Sequence, residues 1–147
     1  MANKIFSDIN ILIDLLDSNR KHHAEAVHLL NEAEKGNCHI FITESVLNTT
    51  AYLIRKDYST IKLKELFNHL LSFAELIPVS SFIYSSGLQR MVNDVEDAIL
   101  YAAALSANLD FFVTNDTKDF KKLEIPSLPV VSAREFLVLI NNTNYIN

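Results

Sequence analysis

Two hydrophobic rhythms alternate along this chain. Short apolar runs occur at "KIF" (4–6), "CHIFI" (38–42), "ELIPV" (75–79), "DFFV" (110–113) and "PVV" (129–131). Runs this short, rich in Val, Ile and Phe, read as strands. The segments between them carry apolar residues at the helical period. "INILIDLLDS" (9–18) places Ile9, Leu12, Ile13 and Leu16 on one face. Segment 22–36 does the same with Ala26, Leu29, Leu30 and Ala33, and Gly36 supplies a stop. Segments 44–56 and 59–74 predict a helical pair joined at Asp57-Tyr58. Segment 81–91 is a weaker helix with Gly87 inside it. Segment 95–108 is apolar almost all round, which predicts burial on more than one side. Segment 133–142 predicts a last helix.

Each strand is followed within a residue or two by Ser, Thr or Asp, the residues that start helices: Ser7-Asp8, Thr43, Ser80-Ser81, Thr114-Asn115-Asp116 and Ser132. A strand, a cap and a helix, repeated, predict an α/β fold. A central parallel sheet of about five strands would be covered on both faces, in three layers, by a single domain over 1–147. Right-handed crossovers bring every strand's C-terminal end to one edge, outside which ligands bind in such folds. Asp8, Thr43, Asp116 and Asp119 are expected there.

Composition narrows the function classes. The net charge of −5 argues against broad binding to nucleic-acid backbone through Lys and Arg. It leaves room for an enzyme that meets a phosphodiester through bound metal, since metal ions reverse the local sign. No apolar run approaches the roughly 20 residues that span a bilayer, and "MANKIFSDIN" lacks a signal-peptide pattern. The single Cys38 cannot form an intramolecular disulfide and fits a reducing, cytoplasmic setting.

Three acidic groups stand out: Asp8 after the first strand, Asp94, Glu96 and Asp97 opening the most buried helix, and Asp116 with Asp119 after the fourth strand. Capping or an Asx-turn explains any one of them. Three such groups at one sheet edge repel, so together they point to a cation site. The five histidines fall mostly on the second helix and strand, away from the acids and without zinc spacing. No Ser-His-Asp order, phosphate loop or nucleophile elbow is visible. A phospho-receiver domain is disfavoured by Ser80 and Ser132, where it needs Asp and Lys; a phosphatase of the "DIN" type is disfavoured by Asn10, where it needs a second Asp.

In order, "IFSDINILIDLL", "DVEDAILYAAAL" and "DFFVTNDTKDF" resemble the motifs of the PIN-domain family of metal-dependent ribonucleases, which includes the toxins of many bacterial toxin–antitoxin pairs. The resemblance runs from Lys4 to about Ile140. It implies that Asp8, Asp97 and Asp116 are the catalytic, metal-holding acids, with Asp119 and Asp94 as further acids. Asn10 and Thr114 would be supporting polar residues. It implies Mg²⁺ or Mn²⁺, an RNA substrate hydrolysed at its phosphodiesters, an antitoxin partner and a homodimer formed through helices 44–56 and 59–74. One position departs from the pattern: Thr49 stands where the family usually carries an acid. That departure supports an alternative, a catalytically weakened PIN-type fold that binds nucleic acid or protein.

Overall fold

The computed structural model describes residues 2–90 and 94–144. Its five strands are β1 (Asn3–Ser7), β2 (Cys38–Thr43), β3 (Ala74–Ile77), β4 (Phe111–Val113) and β5 (Val130–Val131). They form one sheet in the order β3-β2-β1-β4-β5, and every pairing is parallel. The helices are α1 (Ile9–Leu16), α2 (His23–Glu34), α3 (Glu44–Ile54), α4 (Thr60–Leu71), α5 (Ser81–Leu88), α6 (Val95–Ser106), α7 (Thr117–Phe120) and α8 (Ala133–Asn144). This is the expected PIN-like α/β arrangement.

Adjacent residues of β4 show how the layers divide, because neighbouring side chains on a strand point to opposite faces. Phe111 meets Phe136 of α8, with ring centroids 5.6 Å apart. Phe112 points the other way, to Tyr101 of α6 at 5.5 Å and Phe120 of α7 at 4.5 Å, and stacks on Phe6 of β1 at 4.8 Å. On the α8 side, α2 packs against α8, α1 and β2, and α1 packs against α3. On the α6 side, α5 packs against α6. The near-continuous apolar surface read in segment 95–108 follows from this: Ala98, Leu100, Tyr101, Ala102, Ala103 and Ala104 are all buried.

Gly87 is required by that packing. A Cβ there would stand 2.9 Å from the Ile99 Cα, so only glycine permits the close approach of α5 and α6. Gly36, at φ 81°, takes the left-handed turn that ends α2 and leads into β2.

Beyond shifts of a residue or two at helix ends, the elements differ from the hydrophobic pattern in three places. The helix expected over 59–74 stops at Leu71, and Ala74 pairs with Ile40 in the ladder. Sheet pairing there overrides helix propensity. The strand expected to reach Val79 ends at Ile77, before Pro78, which has no N–H to donate. The single turn of α7 lies inside "TNDTKDF", too short to carry a period. The end of expected helix 81–91 lies outside the described residues; α5 itself ends at Leu88.

Candidate active site

The parallel register of β1 and β4 pairs Ser7 with Val113, so the residues that follow these strands emerge side by side. The Asp8 N–H donates to the Val113 carbonyl at 3.1 Å, and the Thr114 N–H donates to Val131 at 3.0 Å. Asp8 and Thr114 are both buried. One carboxylate oxygen of Asp8, Oδ1, accepts from the Ile9 N–H at 2.7 Å. The other, Oδ2, accepts from the Thr114 hydroxyl at 2.9 Å. Thr114 Oγ1 also accepts from the Asp116 N–H at 3.0 Å. A single buried hydroxyl therefore ties Asp8 to the backbone of Asp116.

Asp94 caps α6, its Oδ1 accepting from the Asp97 N–H at 3.0 Å. Asp94 is exposed, while Asp97 in the first turn is half-buried. Asp116 and Asp119 bracket the start of α7. Capping and clustering thus occur together, since Asp8 and Asp94 do both.

The electrostatics show that the three acidic groups share one region. Burial pushes the Asp8 carboxyl up to about 6, against lowering hydrogen bonds from Thr114 and Ile9, and the Asp116 and Glu96 charges add to the rise. Burial pushes Asp97 up to about 7, with further raising from Asp94, Asp8, Asp116 and Asp119. Asp116 is raised by burial and by Asp119, with Lys122 opposing. Asp97 therefore lies within reach of the Asp8 charge.

The donor set is oxygen only, which suits a hard cation such as Mg²⁺ or Mn²⁺ rather than zinc. Among the described residues, no Lys or Arg forms an ion pair with Asp8, Asp97 or Asp116. Their mutual repulsion is thus left for a cation to offset, and in that sense the residues fit one. The carboxylates are electrostatic neighbours and not a closed cage: among the described residues, no three His, Cys, Asp or Glu side chains are already arranged to hold an ion.

The supporting residues are less engaged. Asn10 is half-buried in the first turn of α1. Thr49 is half-buried on α3; its neighbour Thr50 is the buried residue whose hydroxyl donates to the Val46 carbonyl at 2.7 Å. The histidines sit elsewhere. His22 lies 3.9 Å from Glu25, His28 lies 3.8 Å from Glu32, His69 lies 3.2 Å from Glu34, and His23 Nδ1 is 2.7 Å from the Asp14 carbonyl.

Sequence reasoning missed Asp14. It lies between Ile13 and Leu15 and is 3 % exposed. Its carboxylate takes Arg20 Nε at 2.6 Å and Asn115 Nδ2 at 3.2 Å. The available signal was an acid within the apolar run Ile11–Leu16, with an arginine six residues on.

Known proteins carry the same architecture. The chain is 24% identical over 140 residues to "Ribonuclease VapC1" of Aquifex aeolicus, covering 92% of this chain and 94% of that protein. A toxin–antitoxin complex from Klebsiella pneumoniae aligns with TM-score 0.64 and 26% identity, over 88% of this chain and 97% of that one. VapBC2 from Rickettsia felis, bound to a promoter DNA fragment, aligns with TM-score 0.65 and 20% identity, over 88% and 98%. The PIN domain family pattern matches residues 4–118. Together with the parallel sheet and the acids at its edge, that match establishes that this chain belongs to the PIN domain family.

Proposed function

We propose that this chain is a divalent-metal-dependent endoribonuclease of the PIN type, acting as the toxin of a toxin–antitoxin pair. One observation carries the reading. Asp8, Asp97 and Asp116 stand at three separate helix starts, and burial and then neighbouring carboxylates favour their protonated forms (Asp116 and Glu96 beside Asp8; Asp94, Asp8, Asp116 and Asp119 beside Asp97; Asp119 beside Asp116), with no cationic side chain paired to them among the described residues. Such a cluster is costly unless a cation occupies it. The similarity to a ribonuclease supports the same reaction.

In this reading Asp8, Asp97 and Asp116 hold Mg²⁺ or Mn²⁺, with Asp119 and Asp94 supplementing the charge. The ion, when bound, lowers the pKa of a water and neutralises charge on the phosphodiester. The chain's own residues set the geometry. Ile9 N–H and the Thr114 hydroxyl fix both oxygens of Asp8. Thr114 also holds the Asp116 backbone, so two of the acids keep one spacing. Asp94 fixes the first turn of α6, from which Asp97 projects. Asn10, in the first turn of α1, is the polar group offered to substrate or water.

The test is cleavage of single-stranded RNA with Mn²⁺ or Mg²⁺, with and without EDTA, beside Asp8→Asn and Asp97→Asn. Metal-dependent cleavage abolished by both substitutions supports the reading. Retained RNA or protein binding without cleavage would favour the weakened module, for which half-buried Thr49 is the observation. Partners belong to the same proposal. Tyr52 and Leu53 on α3 and Ile61 on α4 are 62%, 51% and 74% exposed. Part of this pair is the proposed two-fold homodimer face, and a short antitoxin is the proposed second partner, consistent with the toxin–antitoxin complexes of similar fold. Cytoplasmic action is part of the same proposal. No described helix is long and apolar enough to cross a membrane.

A further inference from the structure

Two carboxylates outside the candidate site are buried, Glu32 and Asp14. Glu32 is answered locally. Asn37 Nδ2 donates to it at 2.8 Å and Lys35 at 3.2 Å, which together tie the end of α2 to the turn before β2. Asp14 reaches further. Its Oδ1 takes Arg20 Nε at 2.6 Å, and its Oδ2 takes Asn115 Nδ2 at 3.2 Å across 101 residues of sequence. Asn115 Oδ1 in turn accepts from the Ala133 N–H at 3.4 Å, at the start of α8.

Asn115 lies between Thr114 and Asp116. The loop after β4 is therefore gripped twice, by Asp8 at the N-cap of α1 and by Asp14 within it. At its start, the Asp8 carboxylate accepts from Thr114. One residue on, the Asp14 carboxylate accepts from Asn115. We propose that Asp14, held in place by Arg20, is a positioning residue for Asp116: its carboxylate fixes Asn115, and Asn115 fixes the place of the adjacent acid relative to Asp8. This rests on the metal-dependent nuclease reading above and extends it to a residue that touches neither metal nor substrate.

Stability alone gives no reason for a carboxylate here. Replacing a buried ion pair by apolar residues of similar volume is often neutral or stabilising. At a buried position of α1, which also buries Ile11 and Leu12, an apolar residue such as leucine is the usual occupant. What a leucine lacks is an acceptor aimed at Asn115. Ligand carboxylates must be held to within about 0.5 Å, and the groups that orient them commonly change metal affinity or activity by about 10- to 100-fold when removed.

The experiment measures Mn²⁺ affinity by titration calorimetry and cleavage of single-stranded RNA, at a temperature where circular dichroism shows every variant folded. The variants are Asn115→Ala, Asp14→Ala, Asp14→Asn and the double Asp14→Ala/Asn115→Ala. Thr50→Val is the control for a buried hydrogen bond lost within another element, α3. Asn115→Ala and Asp14→Ala should each weaken Mn²⁺ binding by about tenfold. The double variant should be no worse than either, because both remove one contact. Asp14→Asn keeps an oxygen acceptor for Asn115 and should recover most of the affinity, while Thr50→Val should bind as the wild type does. Wild-type affinity in Asn115→Ala, or additive losses in the double variant, overturns the positioning role and leaves the nuclease reading intact. A wild type that neither binds Mn²⁺ nor cleaves RNA overturns both. If Asp14→Ala does not fold, Asn115→Ala and Asp14→Asn decide the matter.

Discussion

Removing the Asp8 charge should stabilise the metal-free protein at neutral pH. Burial raises the Asp8 carboxyl to about 6 in the folded chain, against the ordinary 3.8 of an aspartate side chain. Between those values the folded state holds a proton that the unfolded state has released. Stability therefore falls as pH rises through that window, and the full cost is present above it. At about 1.4 kcal/mol per pH unit, the raised value costs about 3 kcal/mol above pH 6. Asp8→Asn removes the titration while keeping an amide oxygen that can accept from Ile9. For a chain of this length, roughly 2–4 °C per kcal/mol turns that into a melting temperature higher by about 10 °C at pH 8. At pH 3.5 the two proteins should melt together. Metal should remove most of that difference. Mn²⁺ at a hundredfold over its dissociation constant adds about 2.7 kcal/mol to the wild type, nearly closing the gap, and adds little to Asp8→Asn. The assay is a set of thermal melts from pH 3.5 to 8, with EDTA or Mn²⁺. A substitution that destabilises at pH 8 in EDTA, or a difference that ignores pH, refutes the argument that Asp8 is buried against neighbouring charge.

Thr114→Val keeps the side-chain shape but deletes the hydroxyl that serves both Asp8 and Asp116; a loss of about 2–4 kcal/mol in denaturant melts is expected, from one bond to a charged group and one orphaned amide. Gly87→Ala should destabilise by about 1–2 kcal/mol in the same melts, because overpacking against Ile99 exceeds the helix-propensity gain. RNA cleavage should rise with pH from about 6 to about 7, as Asp8 and Asp97 lose the protons that compete with metal, and a flat profile over that range would count against their role. Thr49→Glu should tighten Mn²⁺ binding and raise cleavage if that half-buried position faces the carboxylates; destabilisation that Mn²⁺ does not rescue would show that it faces the interior instead.

The hydrophobic pattern by itself determined the fold class. Strand runs with caps behind them left a parallel sheet with all its strand ends on one edge; Asp8 and Asp116 followed from that edge rule, while Asp97 came from the resemblance of its helix start to a PIN-family motif. These acids were legible because each sits directly at a strand end or helix start, where local chemistry and topology agree; their joint hold on one ion belongs to the proposal. Short pieces were not legible. The turn of α7 has no period to read, and Ala74 looks helical until Ile40 lies beside it. Gly87 reads as a helix weakness in the sequence and is an interhelical contact in the fold. Above all, the pairing of Asp14 with Asn115 spans 101 residues and follows no spacing rule. Local periodicity says which face of α1 is apolar; only the docking of α1 beside the β4 loop turns an acid on that helix into a partner for Asn115.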